Sequence, residues 1–224
     1  MAKKKRIHWA ECQSFPHFFE PKYHELLQGF PLRGKWYPDF YTNPSPVTLE
    51  VGCGKAEYTV HQARKFPQRN FAGIDIKGAR MWKGASIALK EGLRNTAFIR
   101  THIQNLPMIF APGEVEEIWI PFPDPQPNKP AERKRLTSPH LIDVYRKILR
   151  TNHLIHLKTD NRPFYDYTLE IIARENHQLV YATDDLYAAG FGGVVTEVTT
   201  FYEAQWLAQG AKIHYVQFKI NGVG

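Results

Sequence analysis

The chain has 224 residues, of which 43% are hydrophobic and 23% charged. This suffices for one large α/β domain with a full core, is short for two, and excludes wholesale disorder. The formal charge of +7 points toward a polyanionic partner, and no apolar run approaches the ~20 residues of a membrane span.

The chain opens on a basic run, Lys3-Lys4-Lys5-Arg6, with no apolar stretch behind it, so it does not read as a secretory signal. Residues 1–46 are rich in proline and aromatics (Phe15, Pro16, Phe18, Phe19, Trp36, Tyr37) and lack a clear period. The expectation is an N-terminal arm that packs on a core or stays partly disordered, followed by a core domain over 47–224. From Val47 the pattern changes. Val47–Val51 predicts a strand, followed by a glycine turn and a helix to about Phe66; Phe71–Asp75 predicts a second strand. The next helix carries Trp82, Ala85, Leu89 and Leu93 near the spacing of one buried face. Ala97–Arg100, Glu117–Ile120 and Leu154–Leu157 predict further strands, with an amphipathic helix on Leu141, Val144, Tyr145 and Ile148 between the last two. Strands alternating with helices imply a doubly wound, mostly parallel sheet covered on both faces, with ligands at the carboxyl ends of its strands. Only two cysteines occur, Cys12 and Cys53, with no CxxC pair and no His–Cys cluster, so a reduced cytoplasmic protein without a metal is expected.

The first strand runs into Glu50-Val51-Gly52-Cys53-Gly54-Lys55-Ala56. Gly52 and Gly54 permit a sharp turn and close approach of a ligand. A dinucleotide site wants a third glycine and tolerates no acid beside the pyrophosphate. Here that position is Glu57, and a second acid, Glu50, precedes the turn. Asp75, at the end of the second strand, is placed to accept ribose hydroxyls. Glycine turn, preceding acid and ribose acid together suit a nucleoside with a positive sulfonium and no phosphate, S-adenosylmethionine, in preference to a dinucleotide. After the fourth strand comes Ile120-Pro121-Phe122-Pro123-Asp124-Pro125-Gln126-Pro127-Asn128-Lys129. Alternating prolines stiffen this loop and present a lone carboxylate, Asp124, at the ligand edge. The basic residues Lys129, Arg133, Lys134 and Arg135 follow it and suit an RNA backbone.

Phe122-Pro123-Asp124-Pro125, Lys134-Arg135-Leu136, Lys158-Thr159-Asp160 and Thr200-Phe201-Tyr202-Glu203 occur in that order. Over residues 47–220 the chain thereby resembles the bacterial tRNA (guanine-N7-)-methyltransferase family. The resemblance implies a seven-stranded class I methyltransferase sheet and methyl transfer to N7 of a guanosine in the tRNA variable loop. It implies cofactor contacts at Glu50, Gly52, Gly54, Asp75, His102 and Asp124, with Asp124 also the catalytic acid. It implies substrate contacts at Asn128, Lys129, Asp160, Thr200 and Glu203, with Arg133, Lys134 and Arg135 on the RNA backbone. The chain departs from the family pattern at Gln126 and Asn128, where tryptophan and lysine are usual, leaving Lys129 to substitute. His102 stands where an acid near the adenine is expected, so Gln104, Asn105 or backbone groups are candidates to read that base. Two alternatives stay open on sequence: an exocyclic-amino nucleic-acid methyltransferase, and a non-catalytic RNA-binding module on the same fold. Self-association is not determined by the sequence.

Overall fold

The computed structural model describes residues 2–223; the side chains of Lys3, Lys4 and Lys5 lie outside the described residues. In chain order the elements begin with α1 (Ala2–Cys12), β1 (Phe18–Phe19), α2 (Tyr23–Gln28) and α3 (Trp36–Asp39). Then come β2 (Val47–Val51), α4 (Glu57–Lys65), β3 (Asn70–Asp75), α5 (Gly78–Glu91), β4 (Thr96–Arg100), α6 (Leu106–Ile109) and β5 (Val115–Pro121). The last part holds α7 (Pro139–Arg146), β6 (Leu149–Thr159), α8 (Arg162–Arg174), β7 (Gln178–Thr183), α9 (Val194–Glu197), α10 (Phe201–Ala208) and β8 (His214–Lys219).

The strands form one sheet in the order β1-β4-β3-β2-β5-β6-β8-β7. All neighbours are parallel except the two pairs made by β8. β2 is buried at every position, and β3 at all but Asp75. Helices cover both faces there, so VTLEV and NFAGID carry no solvent-facing alternation. The chain winds outward from β2 through β3 to β4, then crosses to β5 on the other side of β2. That reversal opens a crevice at the carboxyl ends of β2 and β5.

The sheet has eight strands, where the family resemblance implies seven. The additional one is β1, two residues of the N-terminal segment that pair with Phe98 and Ile99 of β4. The Phe98 N–H donates to His17 O at 2.8 Å, closing an edge that would otherwise present unpaired backbone groups. The first 46 residues contribute Leu26, Trp36 and Tyr41 to the main core. Tyr41 donates its hydroxyl to Phe71 O at 2.8 Å, and Trp36 donates its indole N–H to Ile109 O at 3.1 Å. α1 carries no apolar stripe (Cys12 alone is buried among its described side chains), which is why the sequence shows no helical period there.

Two further elements differ from expectation. β6 spans Leu149–Thr159 instead of Leu154–Leu157, because its start is an overhang with Arg150, Thr151 and Asn152 exposed. On α5 the buried face is Met81, Gly84, Ala85 and Ala88; Leu89 is exposed, and Leu93 lies beyond the helix end. The reason is close approach. A Cβ on Gly84 would stand 2.6 Å from Lys55 O and 2.8 Å from Ala56 Cβ, so this helix meets the glycine turn through small residues and leaves its large ones at the flanks. Trp82, at such a flank, stacks on His8 of α1 at 3.7 Å.

Candidate active site

The carboxyl ends of the central strands surround a cleft of ≈ 510 Å³ whose lining includes Glu50, Gly52, Asp75, His102, Asp124 and Thr200. Glu50 and Thr200, 150 positions apart in the chain, thus line one cleft where the strand order reverses. Gly52 and Gly54 both take left-handed backbone angles, φ +69° and +54°, a conformation that disfavours residues with a Cβ. The turn they make is tied to β3 through Asp75. One Asp75 oxygen accepts the Gly54 N–H at 2.9 Å and the other accepts the Lys77 N–H at 2.8 Å. Each oxygen keeps a second lone pair for a diol.

Glu50 lies at the floor of the cleft, 3% exposed. One of its oxygens accepts both the backbone N–H of Thr59, at 2.7 Å, and its hydroxyl, at 2.6 Å. Burial outweighs these bonds and raises its pKa to about 8. A buried carboxyl of this kind is neutral near pH 7 and becomes an anion when a cation arrives beside it. That suits a sulfonium-bearing amino acid and disfavours a phosphate. His102 and Gln104 also line the cleft, whereas the Asn105 amide is committed to Thr101 Oγ1 at 3.1 Å. Of the two adenine-reading side chains proposed, Gln104 lines the cleft and Asn105 does not.

Asp124 is exposed at the mouth. The loop that carries it is pinned at several points. The Phe122 N–H donates to Lys158 O at 2.7 Å, and Asp124 accepts the Gln126 N–H at 3.1 Å. Phe122 and Gln126 are both left-handed, at φ +49° and +46°, so the backbone is strained on either side of the acid. Arg135 holds the loop from behind: its Nε donates to Pro125 O at 3.2 Å and Gln126 O at 3.3 Å, and its guanidinium lies 4.3 Å from the Tyr167 ring centroid.

A family model described as "Putative methyltransferase" matches residues 44–216. The tRNA (guanine-N(7)-)-methyltransferase of Christiangramia forsetii is 45% identical over 222 residues, covering 98% of this chain and 99% of the relative. That of Porphyromonas gingivalis is 47% identical over 213 residues, 93% of this chain and 86% of the relative. The chain belongs to the tRNA (guanine-N(7)-)-methyltransferase family. Among solved structures, the 16S rRNA methyltransferase KamB superposes with a TM-score of 0.61 at 17% identity, covering 89% of this chain and 94% of that one; at such identity the likeness concerns the fold.

Within this methyltransferase fold, several residues named from the sequence take positions other than the expected ones. Glu203 was expected to contact the substrate, and it has no exposed surface. It pairs with Lys158 Nζ at 2.6 Å, accepts the Tyr187 hydroxyl at 2.7 Å, and accepts the Thr200 N–H at 3.2 Å in a capping box at the start of α10. Its carboxylate therefore acts on the cleft through Thr200 and not by contact. Arg135 is turned inward onto the proline loop, so of the three basic residues expected on RNA only Arg133 and Lys134 are exposed. Asn128 and Lys129 are exposed outside the cleft lining, whereas Gln126 and the exposed Lys134 line it. Asp160 follows the end of β6, half-buried and outside the lining, with burial pushing its carboxyl up.

Other residues were missed from the sequence. Lys158, 1% exposed, also donates to Val195 O at 2.5 Å and Val198 O at 3.2 Å, and so holds the segment that delivers Thr200. Burial pushes its ammonium pKa down, against the pull of Glu203. A lysine closing the apolar strand LIHLK was the available signal. Thr59, partner of Glu50, left no signal beyond its place in the first turns of α4. Among the described residues no group of His, Cys, Asp and Glu is placed to hold a metal ion, and no helix is long and apolar enough to cross a membrane.

Proposed function

We propose that this protein methylates N7 of a guanosine in the variable loop of tRNA, with S-adenosylmethionine as donor, in the cytoplasm. The carrying observation is one cleft in which a buried acid (Glu50), a ribose-type acid (Asp75) and the proline-flanked Asp124 converge at the sheet's reversal point, on a chain 45% identical to a curated enzyme of that name over nearly its whole length.

When bound, the cofactor supplies an electrophilic methyl group on a sulfonium. Glu50 neutralises the cationic end, and Asp75 holds the ribose while it keeps the glycine turn in place. Guanine N7 carries a lone pair in the neutral base, so no residue has to remove a proton before attack, and the protein's work is alignment. This agrees with a cleft whose lining holds no paired nucleophile and histidine. Methylation leaves positive charge on the purine. Asp124, accepting from guanine N1–H and the exocyclic amine, binds more tightly as that charge develops. Thr200 lines the same cleft at the N-terminus of α10, and Arg133 and Lys134 face solvent for the RNA backbone.

Incubation with bulk tRNA and methyl-labelled cofactor, followed by digestion to nucleosides, tests this. The expected product is 7-methylguanosine at one variable-loop position. A product methylated on an exocyclic nitrogen, or cofactor binding without transfer, would replace the proposal by one of the two sequence alternatives.

A further inference from the structure

A second groove, of ≈ 640 Å³, lies behind the glycine turn between α4, α5 and residues 197–202. It is continuous with the cofactor cleft, for Gly54, Lys55, Glu57, Arg80 and Tyr202 line both. Its charge is one-sided. Lys55, Arg80 and Lys83 border it without a carboxylate at ion-pair distance among the described residues. Its two acids are already engaged: Glu57 accepts the Phe201 N–H, and Glu197 pairs with Lys65 at 2.5 Å and His61 at 3.1 Å.

The groove is also edged by aromatic faces. Tyr202 of α10, 43% exposed, lines it, and Lys55 Nζ, also in the lining, stands 3.5 Å from the centroid of the neighbouring Phe201 ring. The stacked pair His8–Trp82 lines the groove as well. Large exposed aromatics beside unpaired cations form the surface that single-stranded nucleic acid uses, with bases on the rings and phosphates on the charges. A strand presenting one nucleoside to the cleft must continue somewhere, and this groove opens from the cleft itself.

We propose that the groove is the path of the RNA strand on one side of the target nucleoside, with Arg80 and Lys83 on its phosphates and Tyr202 under an unstacked neighbouring base. The proposal rests on the tRNA reading of the cleft and adds the route by which the substrate enters it.

Lys83 lines the groove and not the cleft, so it separates the two. With Lys83→Ala the log–log salt dependence of tRNA binding becomes shallower by about 0.7–0.9, the increment of one phosphate, while Lys83→Arg retains it. Lys83→Glu raises the tRNA KM about tenfold or more and leaves the cofactor Kd unchanged. A photoreactive phenylalanine analogue at position 83 crosslinks to nucleotides adjacent to the methylated guanosine. Unchanged salt slope and KM in Lys83→Ala and Lys83→Glu, or crosslinks only to distant arms of the tRNA, would overturn the proposal. A wild-type protein that binds tRNA but makes no 7-methylguanosine would instead overturn the reading of the cleft, and the crosslink, which needs no turnover, would still decide the path.

Discussion

Glu57, in the first turn of α4, accepts the backbone N–H of Phe201 with both carboxylate oxygens, at 3.1 and 3.2 Å, across 144 positions of chain. The position that a dinucleotide fold gives to a third glycine here ties the cofactor turn to the helix that begins at Thr200. Glu57→Ala should therefore weaken communication between the two ligands more than either binding alone. Calorimetric cofactor affinity should change little without tRNA, and the affinity gained when tRNA is present should fall by roughly five- to tenfold, the usual span of one coupling contact. An unchanged ratio would mean that the two sides of the cleft are joined elsewhere.

Asp75 holds the glycine turn and has the proposed role of ribose acceptor, so its variants should grade. Asp75→Ala removes the acceptor of the Gly54 and Lys77 N–H groups as well as the proposed ribose contact. The loss of charge-assisted bonds, roughly 1.5–3 kcal/mol, predicts about ten- to hundredfold weaker cofactor binding. Asp75→Asn, which keeps one acceptor oxygen, should fall between this variant and wild type in a titration.

Glu50 makes cofactor binding and stability respond to pH in opposite directions. With its pKa raised to about 8 by burial, the folded protein retains a proton that the unfolded chain releases above its ordinary value of 4.5. Its contribution to stability is intact below pH 4.5 and is lost as pH rises toward 8. A cationic ligand favours the ionised form, so affinity should rise with pH up to about 8 with release of a proton. Glu50→Gln keeps an acceptor for Thr59. It should melt higher than wild type at pH 8 and not at pH 4.5, and bind cofactor weakly with a flat pH profile. Thermal melts and calorimetry in buffers of different ionisation enthalpy would check both.

Lys158 and Glu203 form a wholly buried ion pair. Lys158→Met leaves Glu203 as an uncompensated charge and should destabilise the protein by about 3–5 kcal/mol. Adding Glu203→Gln should recover a large part of that loss in a denaturant double-mutant cycle. It should not restore tRNA turnover, because the cations' hold on Val195 O and Val198 O is still missing.

Asp124→Asn is isosteric, and Asp124 stands apart from the bonds that fix the glycine turn, so the fold should persist. An amide would present a donor where guanine also donates and would lose the negative charge. Methyl transfer should slow by about 10²–10³, the order found for removing one preorganised electrostatic group. Single-turnover rates on tRNA would measure it, and full activity would remove Asp124 from the mechanism.

What the sequence determined by itself was local. The turn Gly52–Gly54, the acid ending β3 and the proline-locked Asp124 each depend on a few adjacent residues whose backbone angles are dictated by residue type. The alternation of strands and helices then placed them at one edge of a parallel sheet. Tertiary structure decided which charges are available. Glu203 and Arg135 stand in sequence beside residues expected to meet RNA, yet one is sealed beneath Thr200 by Lys158 and the other is turned back onto Pro125. Glu50 is neutral at pH 7 only because of the packing around it, and Glu57 found its partner across most of the chain. Burial and ionisation are sums over neighbours brought from far along the chain, and no window of the sequence contains them.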